Sequence, residues 1–210
     1  MILETTHNKE PITLQRSVVI AEDEAIVRLD LKEILAEEGY DVVGETGRGD
    51  EAVDLVRTHR PDVVILDIKM PGLDGLSAAR EITKDGTSAV LILTAFSQRN
   101  LIEEARDAGA LAYLVKPFQS EELLPAIEVA IGRYTEMRAL EAENAALTDE
   151  KRKLQEQLET RRWVDRAKGK LMDDKGLKES EAFSFIQQSA MNGRTTMREI
   201  AQKIVEGALD

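Results

Sequence analysis

Between residues 17 and 120 five short aliphatic runs recur, each continuous rather than alternating: Val18 to Ala21, Val42 to Val43, Val63 to Leu66, Val90 to Leu93 and Ala112 to Val115. A strand with one wet face alternates apolar and polar residues, so an unbroken run belongs to a strand covered on both faces. The stretches between them place apolar residues at helical spacing, Val27, Leu31, Ile34 and Leu35 in one and Leu101, Ala105 and Ala108 in another. Five such units predict an α/β fold, an open parallel sheet with helices on both sides.

The rest of the chain reads as helix. Residues 121–160 contain one proline, Pro125, and one glycine, Gly132, so little interrupts a long connecting helix. With Leu140, Leu147 and Leu154 at heptad position d, Met137, Asn144, Lys151 and Leu158 fall at position a, which predicts a two-stranded coiled coil and hence a homodimer. The competing expectation is a charged single helix packed on its own domain. Residues 161–210 hold three helical patterns: Val164, Ala167 and Leu171; Ala182, Phe183, Ile186 and Ala190; Ile200, Ala201, Ile204 and Val205. Gly176 and Gly193 are expected stops, and Thr196 with Glu199 an expected capping box. The expected division is an arm over 1–16, an α/β domain over 17–120, the connecting helix over 121–160 and a three-helix all-α domain over 161–210.

The absence of cysteine leaves any metal to oxygen ligands. With no long apolar stretch and no secretory start at Met1 to Thr6, the expectation is a cytoplasmic protein with no membrane contact. The net charge of −12 is uneven, because residues 161–210 carry +2 and the first 160 carry −14.

Ligands of open parallel sheets bind beyond the carboxyl ends of the strands, where strand order reverses. Glu22 and Asp23 follow the first strand, Asp67 ends the third, Thr94 the fourth, and Lys116 with Pro117 the fifth. In the order 2-1-3-4-5 these groups converge. Clustered carboxylates repel and call for a hard divalent cation such as Mg²⁺. An aspartate beside that cation is a competent nucleophile toward phosphorus, with Lys116 and Thr94 placed to meet phosphoryl oxygens.

The segments VIAEDE (Val19 to Glu24), LDIKMPGLDG (Leu66 to Gly75), LTA (Leu93 to Ala95) and GALAYLVKPF (Gly109 to Phe118) resemble the receiver domain of two-component response regulators, over about residues 16–133. The resemblance implies a flavodoxin-like sheet, Asp67 as phospho-acceptor from a sensor histidine kinase, and Glu22, Asp23, Asp67 and the Lys69 backbone carbonyl as Mg²⁺ ligands. It also implies Thr94, Lys116 and Tyr113 as phosphate sensors and switch, a cis bond before Pro117, and Lys69 and Phe96 as settings of the phosphate lifetime. It implies no enzyme beyond weak hydrolysis of its own aspartyl phosphate. The acidic pair of this family is more often Asp-Asp, and here it begins with Glu22.

Gly47, Gly49 and Ala52 imitate a dinucleotide fingerprint, but the second strand falls at the sheet edge, away from the reversal. His7 and His59 stand apart from the acidic site and read as ordinary surface residues.

Between Arg161 and Lys178 there are seven basic residues against three acids, a face suited to a phosphate backbone. Trp163 within it fits either core packing or stacking on an unpaired base. Ala167, Lys168, Gly169, Leu171 and Met172, with Glu181 to Phe183, Ala190, Met191, Ile200, Ala201, Ile204 and Val205, resemble the ANTAR domain, an RNA-binding module of transcription antiterminators. By position the expected RNA surface is Arg162, Arg166, Lys168, Lys170, Arg194, Thr195 and Arg198. The partner expected is hairpin RNA, gripped by a homodimer formed on phosphorylation. Rival readings are a DNA-binding response regulator, against which Thr195 to Glu206 offers few basic residues, and a relay module whose last helices bind a protein.

Overall fold

The computed structural model describes residues 15–208. His7 and all but the end of the expected arm lie outside the described residues. The chain forms two compact units, one ending at Ala139 and one spanning Leu140–Asp210.

In the first unit, strands β1 (Ser17–Ala21), β2 (Asp41–Thr46), β3 (Val63–Leu66), β4 (Ala89–Thr94) and β5 (Ala112–Val115) pair in parallel in the order β2-β1-β3-β4-β5. Helices α1 (Ala25–Glu37), α2 (Gly49–His59), α3 (Gly75–Asp85) and α4 (Arg99–Asp107) connect them, and α5 (Ser120–Lys175) follows β5. Successive side chains of a strand face opposite ways. Val19, Ala21, Val64, Leu66, Val90 and Ile92 therefore meet Ala52, Val56, Ala78, Ile82 and Ala105 on one face. Val18, Ile20, Val63, Ile65, Leu91 and Leu93 meet Leu31, Leu35, Leu123 and Ile127 on the other.

Two expectations need correction here. Strands β1, β3 and β4 are buried almost throughout, but β2 and β5 are mostly half-buried, because each edge strand is covered along one side only. Arg16, placed at the end of a loose arm, is held: its guanidinium lies 3.2 Å from Glu128 and its carbonyl accepts from the Asp41 N–H at 2.8 Å.

In the second unit α5 continues without a break past residue 160 to Lys175, so the first of the three expected terminal helices is the end of the connecting helix itself. Pro125 is tolerated inside α5 because the carbonyl it leaves unbonded, on Glu121, belongs to an exposed residue. Leu123, Ile127, Ala130 and Ile131 of this stretch pack on the first unit, whereas Leu140, Leu147, Leu154 and Leu158 further along are 51–57% exposed. Val164, Ala167 and Leu171 pack with Ala182, Ile186 and Ala190 of α6 (Glu179–Asn192) and with Ile200, Ala201 and Ile204 of α7 (Met197–Glu206).

Gly176 and Gly193 end α5 and α6 as expected. At the start of α7 only half of the capping box forms: the Thr196 hydroxyl accepts from the Glu199 N–H at 3.2 Å, while the Glu199 carboxylate takes the Thr195 hydroxyl instead. Phe183 is not part of the core stripe, being 42% exposed. It lies one residue, about 100° of helix, beyond Ala182.

Candidate functional site

Each residue of the site is placed by the end of a strand. Asp67 follows β3 and its N–H donates to the Ala21 carbonyl at 2.9 Å, which ties it to the end of β1 where Glu22 and Asp23 emerge. Single carboxylate oxygens of Glu22, Asp23 and Asp67 all lie within 4.8 Å of one another. Glu22 and Asp67 are buried, whereas Asp23 faces solvent.

At that spacing each pair of like charges repels by about 3 kcal/mol at an effective dielectric of about 20. Lys116 relieves part of this, its ammonium 2.5 Å from Glu22 Oε2 and 3.4 Å from Asp67 Oδ2. Three carboxylates and one ammonium leave two negative charges, the complement of a divalent cation. Burial pushes the Glu22 carboxyl up, with Lys116 pulling the other way. The longer side chain of Glu22, compared with aspartate, carries its carboxylate to the ammonium, and its Oε1 accepts from the Glu24 N–H at 3.3 Å.

The neighbouring groups expected to sense phosphate are in register. Thr94, the last residue of β4, is fully buried, and its hydroxyl has no hydrogen-bond partner among the described residues. Half-buried Tyr113 on β5 donates its hydroxyl to the Phe96 carbonyl, and burial followed by the Asp67 charge raises its phenol above the ordinary value. The Lys69 ammonium sits over the Phe96 ring, 4.3 Å from its centroid, so the two residues expected to set phosphate lifetime touch each other. The Lys116–Pro117 bond is cis, as the resemblance implies.

Three supports went unassigned in the sequence. Arg28 on α1 donates a guanidinium N–H to the Glu22 carbonyl. Asp74 caps α3, accepting from the Ser77 N–H at 2.9 Å and from its hydroxyl at 2.8 Å. Gly75 opens α3 against the peptide of Asp67, where a Cβ would lie 1.8 Å from the Asp67 carbonyl oxygen. The adjacent Asp-Gly pair at a helix start was the available signal for the last two.

The fingerprint at Gly47 and Gly49 has no room for a pyrophosphate. The Gly49 N–H points to the Pro71 carbonyl at 3.4 Å, and a Cβ there would lie 2.0 Å from the Leu73 carbonyl oxygen. His59 is an exposed residue in the last turn of α2.

In the second unit the seven basic and polar positions divide by what they hold. Lys168 is 17% exposed and bonds Asp165 at 2.9 Å and Glu179 at 2.8 Å. Lys170 donates to the Val205 carbonyl at 3.1 Å in the last turn of α7, where a cation suits the helix dipole. Arg198 pairs with Glu159 at 2.8 Å, and Thr195 with Glu199. Arg162 and Arg194 are exposed without an ion pair among the described residues, and Arg166 lies 5.5 Å from the Trp163 ring centroid. Trp163 itself is half-buried against the three-helix core.

This sheet, with its acids and lysine at matching strand ends, defines the receiver class. The response regulator receiver domain matches residues 18–128 and the ANTAR domain matches residues 152–205. The chain belongs to the response regulators, as a receiver followed by an ANTAR domain. It is similar to the transcriptional regulatory protein PdtaR of Mycobacterium tuberculosis, 53% identical over 191 residues that cover 91% of this chain and 90% of that protein. Among solved structures it is similar to a LuxR-family DNA-binding response regulator from Staphylococcus aureus, with a TM-score of 0.53 and 33% identity over 55% of this chain and 98% of that one. It is also similar to a chain of the CheX–CheY–BeF₃–Mg²⁺ complex from Borrelia burgdorferi, with a TM-score of 0.51 and 27% identity over 53% of this chain and 86% of that one. No helix among the described residues is long and apolar enough to cross a membrane.

Proposed function

We propose that this chain is a phosphorylation-gated RNA-binding protein that acts as a transcription antiterminator. The observation that carries the reading is the residual charge of minus two at the three clustered carboxylates. Glu22, Asp23, Asp67 and the Lys69 carbonyl hold Mg²⁺, in keeping with the complex named above for a relative of the receiver. When bound, that ion neutralises charge on the phosphoryl oxygens.

Asp67 is the acceptor. Its carboxylate attacks phosphorus, an Asp67 O–P bond forms, and the bond from phosphorus to the histidine nitrogen of the kinase breaks, the kinase ring carrying a proton on its other nitrogen so that it leaves as neutral imidazole. Lys116 turns from Glu22 toward the new phosphoryl group, and the unbonded Thr94 hydroxyl donates to one of its oxygens. As Thr94 moves, Tyr113 leaves the Phe96 carbonyl and the receiver surface changes.

That change favours a homodimer through Met137, Leu140, Asn144, Leu147, Leu154 and Leu158, of which the leucines stand exposed. Two C-terminal modules held together bind paired hairpins in nascent RNA more tightly than either alone, without a new contact. Arg162, Arg166 and Arg194 reach the phosphates, while Lys168, Lys170, Thr195 and Arg198 hold the bundle that presents them.

The test is salt-titrated binding of hairpin RNA and of duplex DNA, with and without beryllium fluoride as phosphoryl mimic, in the natural chain and in Asp67→Asn. The natural chain should bind the hairpin more tightly with the mimic, with Asp67→Asn indifferent to it. Preference for duplex DNA would overturn the RNA assignment, and an equal response of Asp67→Asn to the mimic would overturn the acceptor.

A further inference from the structure

The second unit contains a cleft of about 660 Å³, walled by one face of α5 from Lys153 to Lys168 and by Phe183 of α6 and Met197 beside it. We infer that this cleft receives an unpaired base of an RNA loop, stacked on Phe183 and flanked by its neighbouring nucleotides. The inference rests on the RNA-binding reading above.

Chemistry on three sides selects that occupant. The floor is apolar, formed by Val164, Met197 and the Phe183 ring, which is 42% exposed although Ala182 beside it packs the core. A flat aromatic ring left open at the floor of a groove matches the face of a base, and single-stranded bases stack on such rings. Of the three aromatic residues in the second unit, Trp163 is occupied by the core and by Arg166 and Phe185 by the core and by Lys175, so Phe183 is the ring with a free face.

The rim supplies the complement to a backbone. Of the rim cations, Lys168 is held by Asp165 and Glu179 and Lys153 by Asp149 at 2.8 Å, which leaves Arg161 to meet a backbone phosphate. Arg161 is 83% exposed and meets Asp165 only at 4.0 Å, a surface pair of little strength that a phosphate displaces. Gln157, also on the lining and exposed, presents an amide with a donor and an acceptor side by side, the pattern that reads a base edge. The lining stretch of α5 runs over about 22 Å at 1.5 Å per residue, longer than one base and suited to a short strand. A compact metabolite would leave most of that length uncovered.

The test uses the full chain with beryllium fluoride and hairpin RNAs of one fixed stem and a randomised loop, enriched for binding to the natural protein. Phe183→Ala and Phe183→Leu should bind the enriched hairpin about tenfold more weakly, and Phe183→Tyr, which keeps a ring, should bind it as the natural chain does. Replacing the loop bases by abasic sites should weaken the natural chain by the same factor and leave Phe183→Ala no weaker than before. Trp163 fluorescence, reporting the same unit, checks that each variant is folded. Equal affinity of natural, Ala and Leu forms for the enriched hairpin sinks the cleft assignment and leaves RNA binding intact. If no hairpin is enriched by the natural chain, the RNA reading fails and the cleft assignment with it.

Discussion

Replacing Gly75 by alanine isolates how closely Asp67 is held. The added Cβ would lie 1.8 Å from the Asp67 carbonyl oxygen, 2.8 Å from the carbonyl carbon and 3.0 Å from the Ile68 Cα, all backbone atoms that no rotamer change can clear. Ordinary carbon contacts fall at about 3.5 Å, so either α3 or the strand end bearing Asp67 must shift by more than about 1 Å. Overpacking of this kind costs about 1–3 kcal/mol. Gly132 supplies the control, because its Cβ would meet nothing within 4 Å and alanine there gains about 0.5–1 kcal/mol of helix propensity. The two substitutions are the same in chemistry and opposite in sign, and should differ by about 2–4 kcal/mol.

The chromophores make the comparison clean. All three tyrosines, Tyr40, Tyr113 and Tyr134, fall in the first unit and the single tryptophan, Trp163, in the second. Urea unfolding followed by near-ultraviolet tyrosine signals should show Gly75→Ala destabilised and Gly132→Ala slightly stabilised, with the Trp163 transition unmoved. Because a misplacement of about 1 Å can cost about 100-fold in rate, labelling of Gly75→Ala by a small phosphodonor should fall by that order. A Gly75→Ala chain as stable as Gly132→Ala and labelled at the natural rate would refute the close-packing argument.

Two further outcomes follow from other parts of the chain. The Asp74 carboxyl is pushed up by burial but drawn lower overall by the Ser77 N–H and hydroxyl, so its capping stability is present above its unfolded value near pH ~4 and is lost as pH falls through the folded one; Asp74→Ala should cost about 1 kcal/mol at pH 7 and less at pH 3, and an equal deficit at both would contradict the charged cap. Leu147→Lys with Leu154→Lys removes four half-exposed leucines from a dimer, each adding about 1 kcal/mol on full burial, so sedimentation should show dissociation strengthened by about a thousandfold; an unchanged dimer would place the association elsewhere.

What could be read in advance depended on how local the cause was. A parallel sheet follows from aliphatic runs that need cover on both faces, its order 2-1-3-4-5 is what the resemblance to receivers implies, and the acids fall together because each stands one or two residues beyond such a run. The half-burial of β2 and β5 was not visible, since an edge strand and a central one share the same residue types. Nor was the division among the basic residues: Lys168 is bound by Glu179 and Lys170 by the Val205 carbonyl, partners 11 and 35 residues away. Phe183 departs from the expected core stripe because a helical stripe drawn from Ala182 to Ala190 cannot say whether its neighbour faces the core or a groove. The unbroken passage of α5 beyond residue 160 left no mark either, as the residues that follow are as helix-prone as those before.

In the proposed function, the Thr94 hydroxyl, shut in the interior with no partner among the described residues, would tie signalling to the survival of the chain. A buried donor left unmatched weakens a fold by about 1–3 kcal/mol, and engaging it removes that weakness. The dormant protein would then open about 5 to 150 times more often than the activated one, and proteases that act on the opened population would thin out the dormant form first. Limited digestion in the presence and absence of beryllium fluoride reads that difference, and equal digestion would deny it. A message received would thus also be a message preserved.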